Sequence, residues 1–338
     1  MRLSFERNYE QFRCLASRCP DSCCYLWEVL VDEEAASYYR RLSGSLGDQL
    51  RSVLREEDGE IFMTLTPDRR CPMWRVDGLC ELQAQHGHDA LCQTCRDFPR
   101  LRHDYGSFTE LGLELSCPEA ARMILSPEGH DIVTQTVPGG EAPDYDPEIM
   151  SLLLRSREQA LTLVDDRCYT PGQILACLIL YALDVEAAMD DPDNAPNSLD
   201  PAASLHRLSS LPLTEDLNGM IDFYRQLEIL TPQWQQRLKT FTPDFQWHPA
   251  ARLLIRYFIR RYWLQAISDD ALTDRVKFIA ASCIVIHALG GDFERTAQQY
   301  SKEIENDADN VDRLLDATFT EPAFSDLNLL GLLLRQTS

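Results

Sequence analysis

The sequence predicts a mainly α protein, in which an irregular cysteine-rich, metal-binding N-terminal module packs on an all-helical C-terminal domain. Three observations lead there. Nine of the twelve cysteines fall within the first 117 residues. Proline and glycine interrupt that part of the chain repeatedly. Beyond residue 147, apolar residues recur at i, i+3, i+4 and i+7, the period of a half-buried helix. The expected organisation is a module over residues 1–126, a linker over 127–147 and a helical domain over 148–338.

Amphipathic spacing predicts helices over 33–42 and 46–55, followed by a short strand over 61–65. From Cys71 to Cys117 the chain meets Pro72, Gly78, Gly87, Pro99, Gly106 and Pro118. Such punctuation suits loops folded round a metal better than a conventional core. Pro127, Gly129, Pro138, Gly139, Gly140, Pro143 and Pro147 make the linker. Helices follow over 148–165 and 171–189, the second opened by Thr170 as N-cap with Pro171 at the first helical position. The acidic, proline-rich stretch 190–202 reads as a surface loop. Helices are then expected over 217–230, 232–241, 249–267, 272–289, 293–306 and 311–318. Arg252, Arg256, Arg260 and Arg261 share an apolar helix with Tyr257, Phe258, Tyr262 and Trp263, and read as boundary residues that cover the core or pair with carboxylates.

With 338 residues, 44% of them hydrophobic, the chain can bury one large or two medium cores. Its formal net charge is −22, which argues against general binding to nucleic-acid phosphate and favours cationic partners. Arginines number 29 against three lysines (Lys239, Lys277, Lys302); genome base composition is the expected cause, and a lysine-modifying enzyme that spares itself is the alternative. The opening residues carry Arg2, Glu6, Arg7 and Glu10 and no apolar stretch, so no secretory signal is read there. The apolar run 174–183 is about half the length a bilayer needs. A cytoplasmic protein without a membrane span is expected. Thiols stay reduced in that compartment, so clustered cysteines there read as ligands or catalytic groups rather than disulfides.

The first cysteine cluster is Cys14-x4-Cys19-x3-Cys23-Cys24 and the second is Cys71-x8-Cys80-x11-Cys92-x2-Cys95, with Cys117 in a Ser-Cys-Pro turn. Thiolate sulfur selects zinc, Cu(I) or iron–sulfur clusters. Cys92 and Cys95 make a tight chelating loop. Side chains of adjacent residues diverge in most backbone conformations, so Cys23 and Cys24 are not expected at the same metal atom. Nine thiols exceed one tetrahedral site; a 4Fe-4S cluster with a second metal or with spare structural thiols fits the number. Spacing alone does not separate zinc from iron–sulfur. Neither a C-x3-C-x2-C radical loop nor a G-x-G-x-x-G turn is present. Cys168, Cys177 and Cys283 read as isolated core cysteines.

The run YEQFRCLASRCPDSCCYLWEVLVD, then CPMWRVDGLCELQAQHGHDALCQTCRDFPR, then LELSCPEAARMIL resembles the flagellin lysine-N-methylase family, within the wider group of zinc- or iron-chelating CxxCxxCC-type domains. The likeness covers about the first 126 residues, including all nine clustered cysteines. It implies transfer of a methyl group from S-adenosylmethionine to lysine ε-amines of flagellin, with an iron–sulfur cluster taking part. Polar and radical routes both stay open, and no catalytic base is identified. The alternatives are a zinc-stapled interaction module and a redox or metal-handling protein. Arg96 and Arg100, which flank Asp97-Phe98-Pro99 with Arg102 nearby, are candidates for the cofactor carboxylate; salt bridges to Glu114 or Glu119 are the competing assignment. Trp27 and Trp74 read as packing lids over the metal site. His86, His88 and His103 are dispensable as ligands beside nine thiols.

Overall fold

The computed structural model describes residues 1–191, 196 and 198–335. Sixteen α-helices make the described chain mainly α. Seven strands also form, where the sequence predicts one. They are β1 (Arg2–Glu6), β2 (Val29–Leu30), β3 (Leu54–Glu57), β4 (Glu60–Met63), β5 (Arg100–Asp104), β6 (Phe108–Leu113) and β7 (Ile132–Thr136). One sheet runs β5-β6-β1-β7 and the other β2-β4-β3. In the first, β1 lies parallel to β6, with Arg2 opposite Phe108, and antiparallel to β7, with Arg2 opposite Thr136. The stretch 127–147 therefore contributes an edge strand. The β3–β4 hairpin turns on Asp58 and Gly59, both at positive φ (51° and 85°), as a two-residue turn demands if it is to follow the twist of its strands.

After Pro147 the described residues form helices only, close to the predicted ranges, although the helix expected over 217–230 ends at Tyr224. Thr170 caps its helix reciprocally: its hydroxyl accepts from Gln173 N at 3.2 Å, and Gln173 Oε1 accepts from Thr170 N at 2.9 Å. The helix it opens, Pro171–Asp190, is long and apolar enough to cross a bilayer, yet 72% of its apolar window is buried inside the protein. A Cβ on Gly172 would stand 2.0 Å from the Leu333 carbonyl oxygen, so glycine lets the terminal helix Asp326–Leu334 approach backbone to backbone. The helix expected over 249–267 ends at Tyr262 and tightens to a 3-10 segment, Trp263–Ser268. The one expected over 293–306 changes to a π-helix at Ser301–Glu305. Most of the 190–202 loop lies outside the described residues or joins a further helix, Pro201–Leu208.

Buried apolar side chains gather in two clusters. The larger fills the helical body and extends into Phe108, Leu113, Leu115 and Ala120. The smaller holds Val29, Val31, Tyr39, Leu50, Ile61, Met63, Met73 and Leu82 together with Cys71 and Cys92. The arginine-bearing helix Ala251–Tyr262 is built into this frame. Arg252 donates to the carbonyls of Val164 and Asp166, Arg256 pairs with Asp165, and Arg260 with Glu6 at 3.1 Å. These are structural uses, as the sequence suggested.

The four-stranded sheet is fastened to the body by a buried ion pair. Glu110 on β6 accepts two bonds from Arg157 of helix Pro147–Asp165, at 2.6 and 2.7 Å. Burial works against the Glu110 charge, but the Arg157 guanidinium outweighs it and holds the carboxyl below its usual range. Arg157→Met should therefore cost about 3–5 kcal/mol in urea unfolding, because Glu110 is left buried and unpaired. Adding Glu110→Gln should recover much of that loss. Because the folded-state pKa is depressed, the stabilisation is present above the unfolded value and fades as pH falls through the folded one. Wild-type stability should drop on the acid side, and the double variant should drop less.

Candidate metal centre

The loop carrying Cys23 and Cys24 is laid against the segment carrying Cys71. Cys71 N donates to the Cys24 carbonyl at 2.8 Å, and Leu26 N to the Arg69 carbonyl at 2.9 Å. The Cys92–Cys95 turn is held from the other side. Asp32 caps helix Glu33–Arg41 by accepting from Ala35 N at 2.9 Å, and with its second oxygen accepts from Gln93 N at 2.7 Å. Burial of Asp32 opposes its charge, but these two amides prevail and lower its pKa. Thr94 Oγ1 donates to the Leu30 carbonyl at 2.9 Å, so the chelating turn is docked on β2. Cys80 enters as the N-cap residue of the short helix Glu81–His86.

Six cysteines meet as a result. Cys23, Cys24, Cys71, Cys80, Cys92 and Cys95 line a cavity of about 90 Å³ whose remaining walls include Trp27, Tyr39, Met63, Met73, Leu91 and Phe98. Cys71 Sγ lies 3.4 Å from Met63 Sδ. Cys23 and Cys24 sit in a turn and both reach the cavity, contrary to the divergence expected of neighbours. Among the described residues, no group of three or more His, Cys, Asp or Glu side chains is arranged to hold a metal ion. The sulfurs instead contact one another: Cys23 with Cys24, Cys24 with Cys71, and Cys92 with Cys95.

Those contacts sort the thiols into two kinds. The Cys95 thiol, against the effect of burial, brings Cys92 down to about 7. Its contact with Cys24 likewise lowers Cys71. Cys95 itself is pushed up, first by Cys92 and then by burial. Burial raises Cys80. For Cys24 the Cys23 thiol pulls downward, but Cys71 and burial outweigh it and the value rises to about 12. The cavity thus sets two lowered thiols, Cys92 and Cys71, beside the raised Cys95 and Cys24.

Cys14, Cys19 and Cys117 do not line this cavity; they neighbour one another instead. Cys117 is raised to about 12, first by burial, with Cys19 and Cys14 adding to it. Trp27 lines the six-thiol cavity as expected. Trp74 does not: it packs on Tyr25 at 6.0 Å between ring centres and lies under Arg70 at 4.5 Å. His86 is engaged by the Tyr38 hydroxyl at 3.2 Å, and no histidine lines the cavity. Neither Arg96 nor Arg100 does so either. Arg100, on β5, stacks over Tyr9 and Phe12 at 5.5 and 5.1 Å. Arg102 pairs with Asp104 at 2.8 Å, and Glu119 is taken by Arg122 at 2.7 Å. Sequence reasoning overlooked Asp32, although an aspartate before Glu33-Glu34 and an apolar periodic run is a helix-start signal.

No family model matches the chain, and no solved structure matches it. Curated proteins do. A lysine-N-methylase of Salmonella typhimurium is 30% identical over 126 residues, which is 34% of this chain and 30% of the relative. A lysine-N-methylase of Salmonella choleraesuis matches to the same extent over 125 residues. The matched stretch spans less than a third of the length of these two enzymes. The flagellar biosynthetic protein FliU of Salmonella muenchen is 30% identical over 125 residues, covering 34% of this chain and 72% of FliU. With most of FliU covered at that identity, the chain belongs to the FliU family.

Proposed function

We propose that the protein is an S-adenosylmethionine-dependent lysine N-methyltransferase that modifies flagellin and carries an iron–sulfur cluster in the six-thiol cavity. The observation that carries this reading is the convergence of Cys23, Cys24, Cys71, Cys80, Cys92 and Cys95 on one apolar-walled space. The names of the relatives, lysine-N-methylase and flagellar biosynthetic protein, support lysine methylation and a flagellar link.

The donor set fits such a group. Six thiols exceed the four that a 4Fe-4S cluster needs. A bound cluster would supply one-electron chemistry or a Lewis-acidic iron. The chain's own residues do the rest. Asp32 and Thr94 hold the Cys92–Cys95 turn against β2. Tyr39, Met73, Leu91 and Phe98 wall the cavity beside the thiols, and thiolate is the form in which Cys92 and Cys71 would ligate. Lysine must shed its proton before it attacks a methyl group in a polar transfer. The net charge of −22 favours encounter with a lysine-bearing partner.

Anaerobic incubation with S-adenosylmethionine and flagellin, followed by mass analysis of flagellin peptides, should show lysines that have gained methyl groups. Unmodified flagellin from iron-loaded protein would overturn the reading. A second expectation concerns the metal. Cys24→Ser, Cys71→Ser, Cys92→Ser and Cys95→Ser should each lower bound iron and the visible absorption of iron–sulfur charge transfer, and should lower thermal stability because binding energy there is folding energy. Cys168→Ala and Cys283→Ala should leave iron unchanged. Colourless protein with stoichiometric zinc would instead indicate a zinc-stapled module.

A further inference from the structure

Lys302 is one of three lysines in the chain, and its side chain is only 5% exposed. It projects from the π-helical segment Ser301–Glu305. Its Nζ lies 2.9 Å from both carboxylate oxygens of Asp21 and 3.2 Å from the Ser22 carbonyl oxygen. The same atom stands 5.7 Å from the centre of the Tyr25 ring and 5.0 Å from that of Trp27. All four partners come from one short loop, residues 21–27, which also carries Cys23 and Cys24. A carboxylate, a carbonyl and two aromatic faces together complement a primary ammonium: two supply hydrogen-bond acceptors and two supply the negative faces of π-systems. The chain has thus built an ammonium receptor in its cysteine loop and filled it from its other end.

Two further features bear on what else the receptor takes. Trp27, one of its walls, also lines the six-thiol cavity, so an ammonium held here is one indole ring away from the thiols. A cavity of about 390 Å³ opens against Asp21, Tyr25 and Lys302; Asp292, Glu294 and Glu303 outnumber Arg295 among its other charged walls, which gives a cationic side chain room and a wall that is acidic on balance. Lys302 is carried by a π-helical turn, a geometry frequent at functional sites.

We propose that Asp21, the Ser22 carbonyl, Tyr25 and Trp27 form a binding site for a primary alkylammonium, held here by Lys302 and taken by a lysine side chain of the protein substrate when Lys302 withdraws. The identity of the incoming lysine rests on the methyltransferase reading; the ammonium site rests on the geometry alone.

Lys302→Ala leaves a gap the shape of n-butylammonium, so that cation is the probe. In the full-length variant it should give a saturable rise in melting temperature of about 2 °C. Neutral n-butanol at equal concentration should not, nor should sodium chloride. Wild type, its site already filled, should show no such rise, and Asp21→Asn combined with Lys302→Ala should abolish it. If Lys302→Ala is recovered only as insoluble protein, refolding yield with n-butylammonium against n-butanol reads the same comparison. Equal effects of the cation and the alcohol, or none from either, would overturn the site. No methyl transfer enters either readout, so a failure here leaves the proposed activity standing, and an inactive enzyme leaves the ammonium site standing.

Discussion

Helix Leu272–Leu289 has 17 of its 18 residues buried, and a polar group buried there costs free energy unless another group meets it. Most of the body can be understood as the means of meeting such groups. Arg275 is met by Asp269 at 2.7 and 2.8 Å, and Lys277 by Asp326 at 2.9 Å and by the Thr318 carbonyl. Glu186 accepts from Thr273 N at 2.7 Å. His287 gives its Nδ1 to the Cys283 carbonyl at 2.6 Å, and burial drives its pKa down to about 4, so it stays neutral. The helices Pro171–Asp190, Ala251–Tyr262, Ala308–Thr320 and Asp326–Leu334 pack round this one and cover its faces.

From that centre a path of buried polar contacts runs to the cysteine loops. Ser282 meets the Tyr300 hydroxyl at 2.7 Å, and Tyr300 ends the helix that becomes the π-segment. The segment sends consecutive buried charges to separate places. Lys302 goes to the cysteine loop. Glu303 accepts from Leu230 N at 2.7 Å and from the Thr231 hydroxyl. Glu305, fully buried, accepts from Tyr262 at 2.8 Å and pairs with Arg261 at 3.2 Å. Side chains on a regular helix turn by a fixed angle at each step; widening the turn changes which neighbours they meet. The six-thiol cavity is therefore anchored through a local departure from α-helix, where a small backbone adjustment would be felt at Asp21.

Much of this was legible in the sequence, for reasons that also explain the gaps. Helices with one wet face announce their period, as Pro147–Asp165 does; Leu272–Leu289, with no wet face, was legible through the length of its apolar run. The last helix was missed because, in Asp326–Leu334, apolar residues crowd every face and leave no period to detect. Strand β1 was missed for a different reason: five residues alternate too briefly, and their partners lie more than a hundred residues on. Asp58-Gly59 was a readable hairpin signal between two short strands. At the site, residue types were legible and convergence was not. Spacing records distance along the chain, whereas Cys24 meets Cys71 only because a backbone hydrogen bond joins their loops. Lys302 carried no signal beyond its rarity, since its role depends on a contact 281 positions away.

That separation also sets an order of events on the ribosome. Asp21, Cys23 and Cys24 emerge early, yet the lysine that closes their loop follows 281 residues later. At about 5–20 residues per second, the interval is on the order of 15–55 s. Strand β1 faces a similar wait, because Phe108 and Thr136, its partners at Arg2, come over a hundred residues later. Lys302 therefore reaches the cysteine loop only after the helices that precede it have been synthesised, which separates the making of that loop from its closure in time.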